Sequence, residues 1–327
     1  MMTQRSQDEF FSFIPASPAP VHRFRHEAMA TIFEIFIVHD DGHYAAQAAW
    51  AAFDELDGLE RKLSRFIENS DISEINNLAA DQALQLGLDA FRCLRLSAEV
   101  YEATNGAFDV TIGSLSSCRL AEDKSLRKPS SEDFDFARRR TGMNLLTLDE
   151  ASHTVTLSTS GVQIDLGGVG KGYAVDRMAE LLADWSVDTA LICAGQSSVL
   201  ALGSPPKLEG WPVKLTKPSN TGQILDRFFL RDEAMSGSGL QKGYHIIDTR
   251  ITSPVKDKRA AWALAPDAGT ADALSTAFMV MSPDEIKNYC RQHPDVSAMI
   301  ILQDEDTKTQ EGRVLCFGPW KTNNPPG

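Results

Sequence analysis

A glycine-rich segment, Ile164 to Asp176, contains the residue types that most clearly suggest chemistry. Its sequence is IDLGGVGKGYAVD, in which the carboxylate of Asp165 precedes four glycines and Lys171. Where such a segment joins a strand to a helix, backbone N–H groups and the helix dipole can bind a phosphate. It matches neither common phosphate-binding motif, because Gly172 stands where a Walker A loop needs Ser or Thr, and Tyr173 stands where a dinucleotide fingerprint needs Gly. From these residues alone, a tight turn that requires glycine is an equally good interpretation.

Two pairs of polar residues towards the C-terminus have spacings that could serve catalysis or metal binding. Asp272 and Thr276 are four residues apart, so on a helix their oxygens project from one face, as ligands for Mg²⁺ or Ca²⁺ would. An Asp at the start of a helix is, however, more often an N-cap. His245 and Asp248 stand three residues apart in a β-type segment before a turn. Either residue could act as a general base or have a structural role.

The hydrophobic pattern predicts the elements that must position these residues. A strand over Thr31 to Val38 precedes an amphipathic helix between Tyr44 and Phe66, and a second helix covers Leu88 to Thr104. A hairpin of TVTL and VQIDL is expected to lead into the glycine-rich segment, with a helix from Tyr173 onwards.

The C-terminal half is dominated by predicted strands. A helix is expected to begin at Asp272 and another spans Pro283 to Arg291, whereas the small residues of AMSGSG, Ala234 to Gly239, predict a loop. The short β-type segments are TALICA, SSVLAL, PVKLTK, RFFL, YHIID, AAWALA, SAMIILQ and RVLCFG. The predicted helices cluster early in the chain and the strands late, which indicates an α+β fold with a mixed or antiparallel sheet and flanking helices. We expect a single large domain over residues 21–322.

Composition limits the classes of protein to which the chain can belong. Of its 327 residues, 43% are hydrophobic and 24% charged, as in ordinary globular proteins. A net charge of −13 argues against binding to nucleic-acid backbones, which requires clustered Lys and Arg. Five scattered cysteines without a C-x-x-C pair favour a reducing compartment, and no apolar run approaches a signal peptide or a membrane span. We therefore expect a cytoplasmic protein with no membrane span and no nucleic-acid partner, flexible at residues 1–20 and disordered at residues 323–327.

Taken in order, several motifs resemble those of one enzyme family, the ApbE-type FAD:protein FMN transferases. The resemblance covers about residues 25 to 320 and implies an ApbE-like fold related to the T-fold. The motifs that carry it are MATIFEI, KLSRF with SDISEIN, GAFDVTIGSL, IDLGGVGKGYAVD, AMSGSG, YHIID and ADALSTA.

The resemblance implies an activity and a set of site residues. Members bind FAD with Mg²⁺, transfer FMN through a phosphoester bond to a Thr or Ser hydroxyl of an acceptor protein, and release AMP. The matching positions imply His245 as the first choice of general base and Asp248 as the second. Asp272, Thr276 and the carbonyl of Gly170 are implied to hold the metal. Residues implied to surround FAD are Met29, Phe66, Ala107, Phe108, Asp109, Lys171 and Ile247.

The sequence departs from the family's usual pattern near the implied base. Where the family commonly has HIIDPRTGxP, this chain has Thr249, Ile251 and Thr252 in place of Pro, Thr and Gly, and Gln196 replaces the second residue of a Gly-Gly pair. Two alternatives to transfer therefore stay open. One is a binding protein that retains FAD without modifying anything, and the other is a hydrolase that converts FAD to FMN and AMP.

Overall fold

A central antiparallel sheet organises the computed structural model, which describes residues 11–13, 20–121, 125–217, 220–303 and 312–320. Numbered along the chain, the strands of these residues are β1 Phe11–Phe13, β2 Val21–Ala28, β3 Thr31–Val38, β4 Ala83–Gln85, β5 Leu146–Asp149, β6 Thr154–Leu157, β7 Ala190–Ala194, β8 Ser198–Leu202, β9 Trp211–Lys217, β10 Asn220–Leu230, β11 Glu233–Gly239, β12 Ile247–Asp248, β13 Ser253–Pro254, β14 Lys258–Ala265, β15 Ser297–Leu302 and β16 Val314–Phe317. Eight of these described strands form the main sheet, in the order β16-β15-β14-β11-β8-β7-β3-β2, with every neighbouring pair antiparallel. Smaller sheets pair β1-β9-β10, β4-β6-β5 and β12-β13.

Helices pack against the main sheet and against one another. In the described part of the chain the α-helices are α1 Gly42–Leu63, α2 Asp71–Asn76, α3 Leu88–Ala103, α4 Gly113–Arg119, α5 Ser131–Arg138, α6 Gly170–Asp184, α7 Ala268–Val280 and α8 Pro283–Gln292. The longest, α1, begins at the N-cap Asp41, whose side chain accepts the backbone N–H groups of His43 and Tyr44. Helix α7 packs on β11 and β14, and α6 packs against both α7 and α1.

Both faces of the main sheet are buried. On β14, Ala261 and Ala263 belong to the core shared with the helices, whereas Trp262 and Leu264 belong to a second core on the opposite face. The second core is completed by apolar side chains of β9 and β10, including the fully buried Trp211. Burial on both faces explains why AAWALA is a continuous apolar run rather than an alternating one.

The predicted fold class is confirmed by this architecture, which is α+β with an antiparallel sheet and flanking helices. The strand predicted over Thr31 to Val38 is β3, and the helix predicted over Leu88 to Thr104 is α3. The sequence pattern was sufficient to predict the type of these two elements, because each places apolar residues against the large core.

The loop predicted over Ala234 to Gly239 is wrong, because these residues form most of β11 in the middle of the main sheet. Its small residues are needed for close packing. A Cβ added at Gly237 would lie 2.7 Å from the Trp262 indole on the neighbouring strand. Low side-chain volume therefore reflects packing at this strand rather than flexibility.

Three further element predictions need correction. Helix α7 begins at Ala268 behind the N-cap Asp267, so Asp272 lies inside the helix and is not its N-cap. Helix α6 begins at Gly170 rather than Tyr173. TVTL pairs with β5 and β4, whereas the one bridge of VQIDL among the described residues is an isolated parallel bridge from Gln163 to Ile112, so the two segments do not form a hairpin.

The predicted termini lie largely outside the described residues. Of the predicted N-terminal arm, the described Phe11–Phe13 pair with β9, and the predicted tail at residues 323–327 is not described. Within the described residues, no helix combines the length and apolar character needed to cross a bilayer. All five cysteines are free thiols.

Candidate functional site

Two adjoining cavities lie beside the N-terminal end of α6. Their volumes are about 830 and 840 Å³, within the range of small-molecule sites. We name the one that reaches the β2–β3 turn the first cavity and the one that reaches α7 the second cavity. The residues that line both are Arg65, Phe66, Asp165, Gly167, Lys171 and Ser197.

The structure brings nearly all of the predicted site residues to these cavities. Met29 and Gly170 line the first cavity, and Phe66 and Lys171 line both. Asp248 is the exception and lines neither. The predicted residues that line the second cavity alone are Ala107, Phe108, Asp109, His245, Ile247, Asp272 and Thr276.

The glycine-rich segment approaches the second cavity closely because it lacks side chains. A Cβ at Gly168 would lie 3.1 Å from Oγ1 of Thr276 and 3.2 Å from the Phe108 ring. The Asp165 carboxylate accepts the backbone N–H of Gly167 at 2.9 Å and thereby fixes the turn before α6. The segment thus delivers the N-terminus of α6, with its partial positive charge, to both cavities.

Helices α6 and α7 are in backbone contact at Gly172. A Cβ at this position would lie 2.1 Å from the carbonyl oxygen of Ala268 and 2.8 Å from Cβ of Asp272. The Gly172 N–H donates to Oδ2 of Asp272 at 3.1 Å, and the Lys171 ammonium lies 3.4 Å from the same oxygen. The first turn of α6 therefore orients the Asp272 carboxylate, which is only 2% exposed.

A second contact between these helices lies at the start of α7. The two carboxylate oxygens of Asp176 accept the backbone N–H groups of Ala268 at 2.7 Å and Gly269 at 2.8 Å. Burial raises the pKa of Asp176 to about 7 despite these hydrogen bonds, and the Asp267 carboxylate adds to the rise. Asp176 thus satisfies two backbone donors that a helix start leaves without intrahelical partners.

The oxygen atoms at the α6–α7 junction suit a hard cation. Asp272 supplies a buried carboxylate and Thr276 supplies a hydroxyl one turn further along α7, while Gly170, the first residue of α6, lines the adjoining first cavity. Among the described residues, no group of three or more His, Cys, Asp or Glu could hold a metal. This sparse, all-oxygen set fits Mg²⁺, which uses one or two carboxylates and takes other ligands from substrate phosphates and water.

His245 has a defined tautomer. Its Nδ1 lies 2.9 Å from the Gly243 carbonyl oxygen, which can only accept, so Nδ1 carries the proton in the neutral ring. The second ring nitrogen, Nε2, then has the lone pair that a general base needs.

Asp248 is engaged by an arginine. The residue is 7% exposed, and its carboxylate accepts hydrogen bonds from Nε and a terminal nitrogen of Arg250, both at 3.0 Å. Arg250 also donates to Glu285 at 2.8 Å, at the start of α8. This ion-paired position away from the cavities favours His245 over Asp248 as the base.

Asp109 is a buried carboxylate that lines the second cavity. Burial raises its pKa to about 6, even though Oδ1 accepts hydrogen bonds from the backbone N–H and the hydroxyl of Thr111. Burial therefore favours the protonated form of Asp109.

Sequence reasoning missed Arg65, whose guanidinium lies between the two cavities. It is 3.4 Å from the Asp165 carboxylate and 4.8 Å from the centre of the Phe66 ring. Phe66 itself is 84% exposed at this shared wall. The position of Arg65 beside Phe66 in the motif KLSRF was the available indication.

Comparison with known proteins identifies the family of the chain. The model of the ApbE family matches residues 29–300. The chain belongs to the ApbE family. A relative named FAD:protein FMN transferase from Klebsiella pneumoniae is 25% identical over 311 residues, which cover 90% of this chain and 89% of that protein.

Solved structures of ApbE proteins share the fold. The ApbE protein of Thermotoga maritima has a TM-score of 0.79 at 25% identity, covering 91% of this chain and 97% of its own. The flavinyl transferase ApbE of Pseudomonas stutzeri has a TM-score of 0.80 at 22% identity, covering 91% and 95%.

Most departures from the ApbE pattern lie on the turn between β12 and β13. Ile251 is 69% exposed, and the Thr249 hydroxyl donates to the Gly106 carbonyl at 3.1 Å. Thr252, which replaces the family's Gly, has φ of 53°, a left-handed conformation that is unfavourable for a β-branched residue. Gln196 lines the first cavity, at some distance in sequence from this turn. Thr252 thus occupies a left-handed position that glycine would suit better.

Proposed function

We propose that this protein is an Mg²⁺-dependent FAD:protein FMN transferase, which moves FMN from FAD to a Thr or Ser hydroxyl of an acceptor protein and releases AMP. The observation that carries the proposal is the meeting of Lys171, Asp272, Thr276 and His245 at one cavity in an ApbE-family chain. Phosphoryl chemistry of this kind requires charge neutralisation, positioning and removal of a hydroxyl proton.

Each of these requirements has a candidate group. When bound, Mg²⁺ would neutralise charge on the pyrophosphate of FAD, held by Asp272, Thr276 and the Gly170 carbonyl. Lys171 and the N-terminus of α6 supply further positive charge beside it. The net charge of −13 does not oppose binding, because the local field at the pyrophosphate is set by these cationic groups.

His245 would take the proton from the acceptor hydroxyl. As the hydroxyl oxygen bonds to the phosphorus of the FMN moiety, the bond from that phosphorus to the bridging oxygen breaks and AMP leaves. The Nδ1 hydrogen bond to Gly243 supports this role, because it puts the proton of the neutral ring on Nδ1 and the lone pair on Nε2.

The remaining predicted residues would contact the flavin nucleotide. Phe66 offers an exposed aromatic ring at the wall shared by the two cavities, and Phe108 and Ile247 offer buried apolar surface in the second. Met29, Ala107 and Asp109 complete the expected contacts. Together the two cavities are large enough for an extended dinucleotide.

Incubation of the full chain with FAD and Mg²⁺ tests the proposal. AMP release would be measured with and without a candidate acceptor flavoprotein, and the mass of that flavoprotein would be followed for covalent FMN. We expect AMP and a mass increase only when both proteins are present. AMP without the flavoprotein would instead indicate hydrolysis of FAD, and FAD binding without AMP would indicate a binding protein.

A further inference from the structure

The hydroxyl groups of Ser275, Ser238 and Thr276 form a hydrogen-bonded chain beside the proposed metal site. The Ser275 hydroxyl donates to the Asp272 carbonyl oxygen at 2.9 Å. Ser238 Oγ, on β11, lies 2.8 Å from Ser275 Oγ and 3.1 Å from Thr276 Oγ1. Ser238 thus connects the middle of the main sheet to Thr276 on α7, and both residues line the second cavity.

The direction of each hydrogen bond in this chain follows from the number of available protons. A carbonyl oxygen can only accept, so the single hydroxyl proton of Ser275 is used on Asp272. Ser238 must therefore donate its own proton to Ser275. With that proton committed, the Ser238 oxygen can only accept from Thr276.

We propose that Ser238 is a positioning residue that accepts the Thr276 hydroxyl proton and so leaves the Thr276 lone pairs available to a divalent cation. The inference rests on the proposed function, because it assumes that Thr276 binds the metal of that reaction. A hydroxyl ligand binds a cation through an oxygen lone pair, so its proton must point elsewhere. Partners that orient metal ligands in this way commonly affect metal affinity although they do not touch the metal.

The same strand provides a matched control. Ser236 lies two residues before Ser238, so its side chain is on the same face of the sheet. It is fully buried, but its Oγ has no hydrogen-bond partner among the described residues. Both Ser236→Ala and Ser238→Ala remove one hydroxyl from this face, and only the second removes an acceptor for Thr276.

Titration of the full chain with Mn²⁺, followed by the loss of the free Mn²⁺ electron paramagnetic resonance signal, tests the proposal without turnover. We expect Ser238→Ala to weaken Mn²⁺ binding by about tenfold, the lower end of the range for partners of metal ligands. Ser236→Ala should leave the affinity unchanged. Urea unfolding of both variants would show whether the Ser238 effect arises from loss of stability.

A double-mutant cycle separates positioning from a general structural role. Thr276→Val removes the hydroxyl through which Ser238 is proposed to act, so adding Ser238→Ala to it should cause no further loss of Mn²⁺ affinity. If the two substitutions lowered Mn²⁺ affinity independently and additively, the proposal would be overturned. Equal Mn²⁺ affinities of Ser238→Ala and Ser236→Ala, or a wild-type chain that binds no Mn²⁺, would also overturn it. AMP release by the wild type is measured separately. If the wild type releases AMP but Ser238→Ala binds Mn²⁺ normally, only the positioning inference fails. If Ser238→Ala weakens Mn²⁺ binding as expected but the wild type releases no AMP, only the transferase proposal fails.

Discussion

The Lys171 ammonium lies 3.4 Å from Oδ2 of Asp272, although the two residues are on different helices and 101 positions apart. Asp272 also accepts the N–H of Gly172, so one carboxylate oxygen faces two donors from the first turn of α6. A divalent cation bound at Asp272 would compete with Lys171 for this carboxylate. Lys171 is then left to interact with an anionic substrate in the cavities that it lines.

Lys171→Met should separate metal binding from phosphate chemistry. We expect Mn²⁺ to bind at least as tightly as in the wild type, because a competing cation is removed from Asp272. FAD-dependent AMP release should fall by about 100-fold, as is typical when a group that stabilises developing charge is lost. Mn²⁺ titration and AMP release check both parts. Markedly weaker Mn²⁺ binding in Lys171→Met would contradict the competition between lysine and metal.

Substitution of the two candidate bases should affect different properties. His245→Asn is expected to lower AMP release by about 100-fold or more with little change in the free energy of unfolding. Asp248→Asn should lower that free energy by about 1–3 kcal/mol, because it weakens the pair of charged hydrogen bonds with Arg250. The measurements are urea unfolding and single-turnover AMP release. An Asp248→Asn variant of normal stability but no turnover would identify Asp248 as the base instead.

The raised pKa of Asp109 predicts how stability depends on pH. Its carboxyl goes from a usual pKa of 3.8 to about 6 on folding, so between these values the native state holds a proton that the unfolded state has lost. The contribution of Asp109 to the free energy of unfolding is fully present below pH 3.8 and is lost as the pH rises through 6. This loss amounts to about 3 kcal/mol. Asp109→Asn should remove this loss. Urea unfolding at pH 4 and pH 7 for both proteins measures the difference, and parallel pH profiles would refute it.

The fold was predictable from the sequence wherever one face of an element meets the core. α3 shows this, because its apolar periodicity is set by one buried side, whereas β3 was predictable from its short run of β-type residues. The loop predicted over β11 was wrong because small side chains are needed there for close packing against the Trp262 ring and α7. Only the tertiary structure reveals these contacts. Propensity cannot detect such packing partners.

The sequence predicted a set of residues, most of which line the two cavities, but not the contacts that hold them there. Asp272 and Thr276 were identified by their helical spacing and by family resemblance. Their hydrogen-bond partners, Gly172 and Ser238, are distant in sequence and carry little or no side chain. Their roles depend on how closely two backbones approach, and a single sequence does not encode that distance in any local pattern.

The left-handed Thr252 predicts a stabilising substitution. Its φ of 53° is unfavourable for a residue with a branched Cβ and has no such penalty for glycine. Thr252→Gly should therefore raise the free energy of unfolding by about 1 kcal/mol, after allowance for the greater freedom of glycine in the unfolded chain. Thr252→Ala keeps a Cβ and is the control, which should gain much less. Equal stability of the two variants in urea would show that this turn is not strained.

The contact between α6 and α7 at Gly172 predicts a coupled loss of stability and metal binding. A Cβ at this position would lie 2.1 Å from the Ala268 carbonyl oxygen, so Gly172→Ala must force the helices apart and displace Asp272. We expect a loss of about 1–3 kcal/mol in the free energy of unfolding and weaker binding of Mn²⁺. Gly58→Ala is the matched control, because a Cβ there meets nothing closer than a flexible arginine terminus at 4.0 Å and should stabilise α1 by up to about 1 kcal/mol. If Gly172→Ala lost stability but bound Mn²⁺ normally, the close approach of the helices would serve the core alone and not the orientation of Asp272.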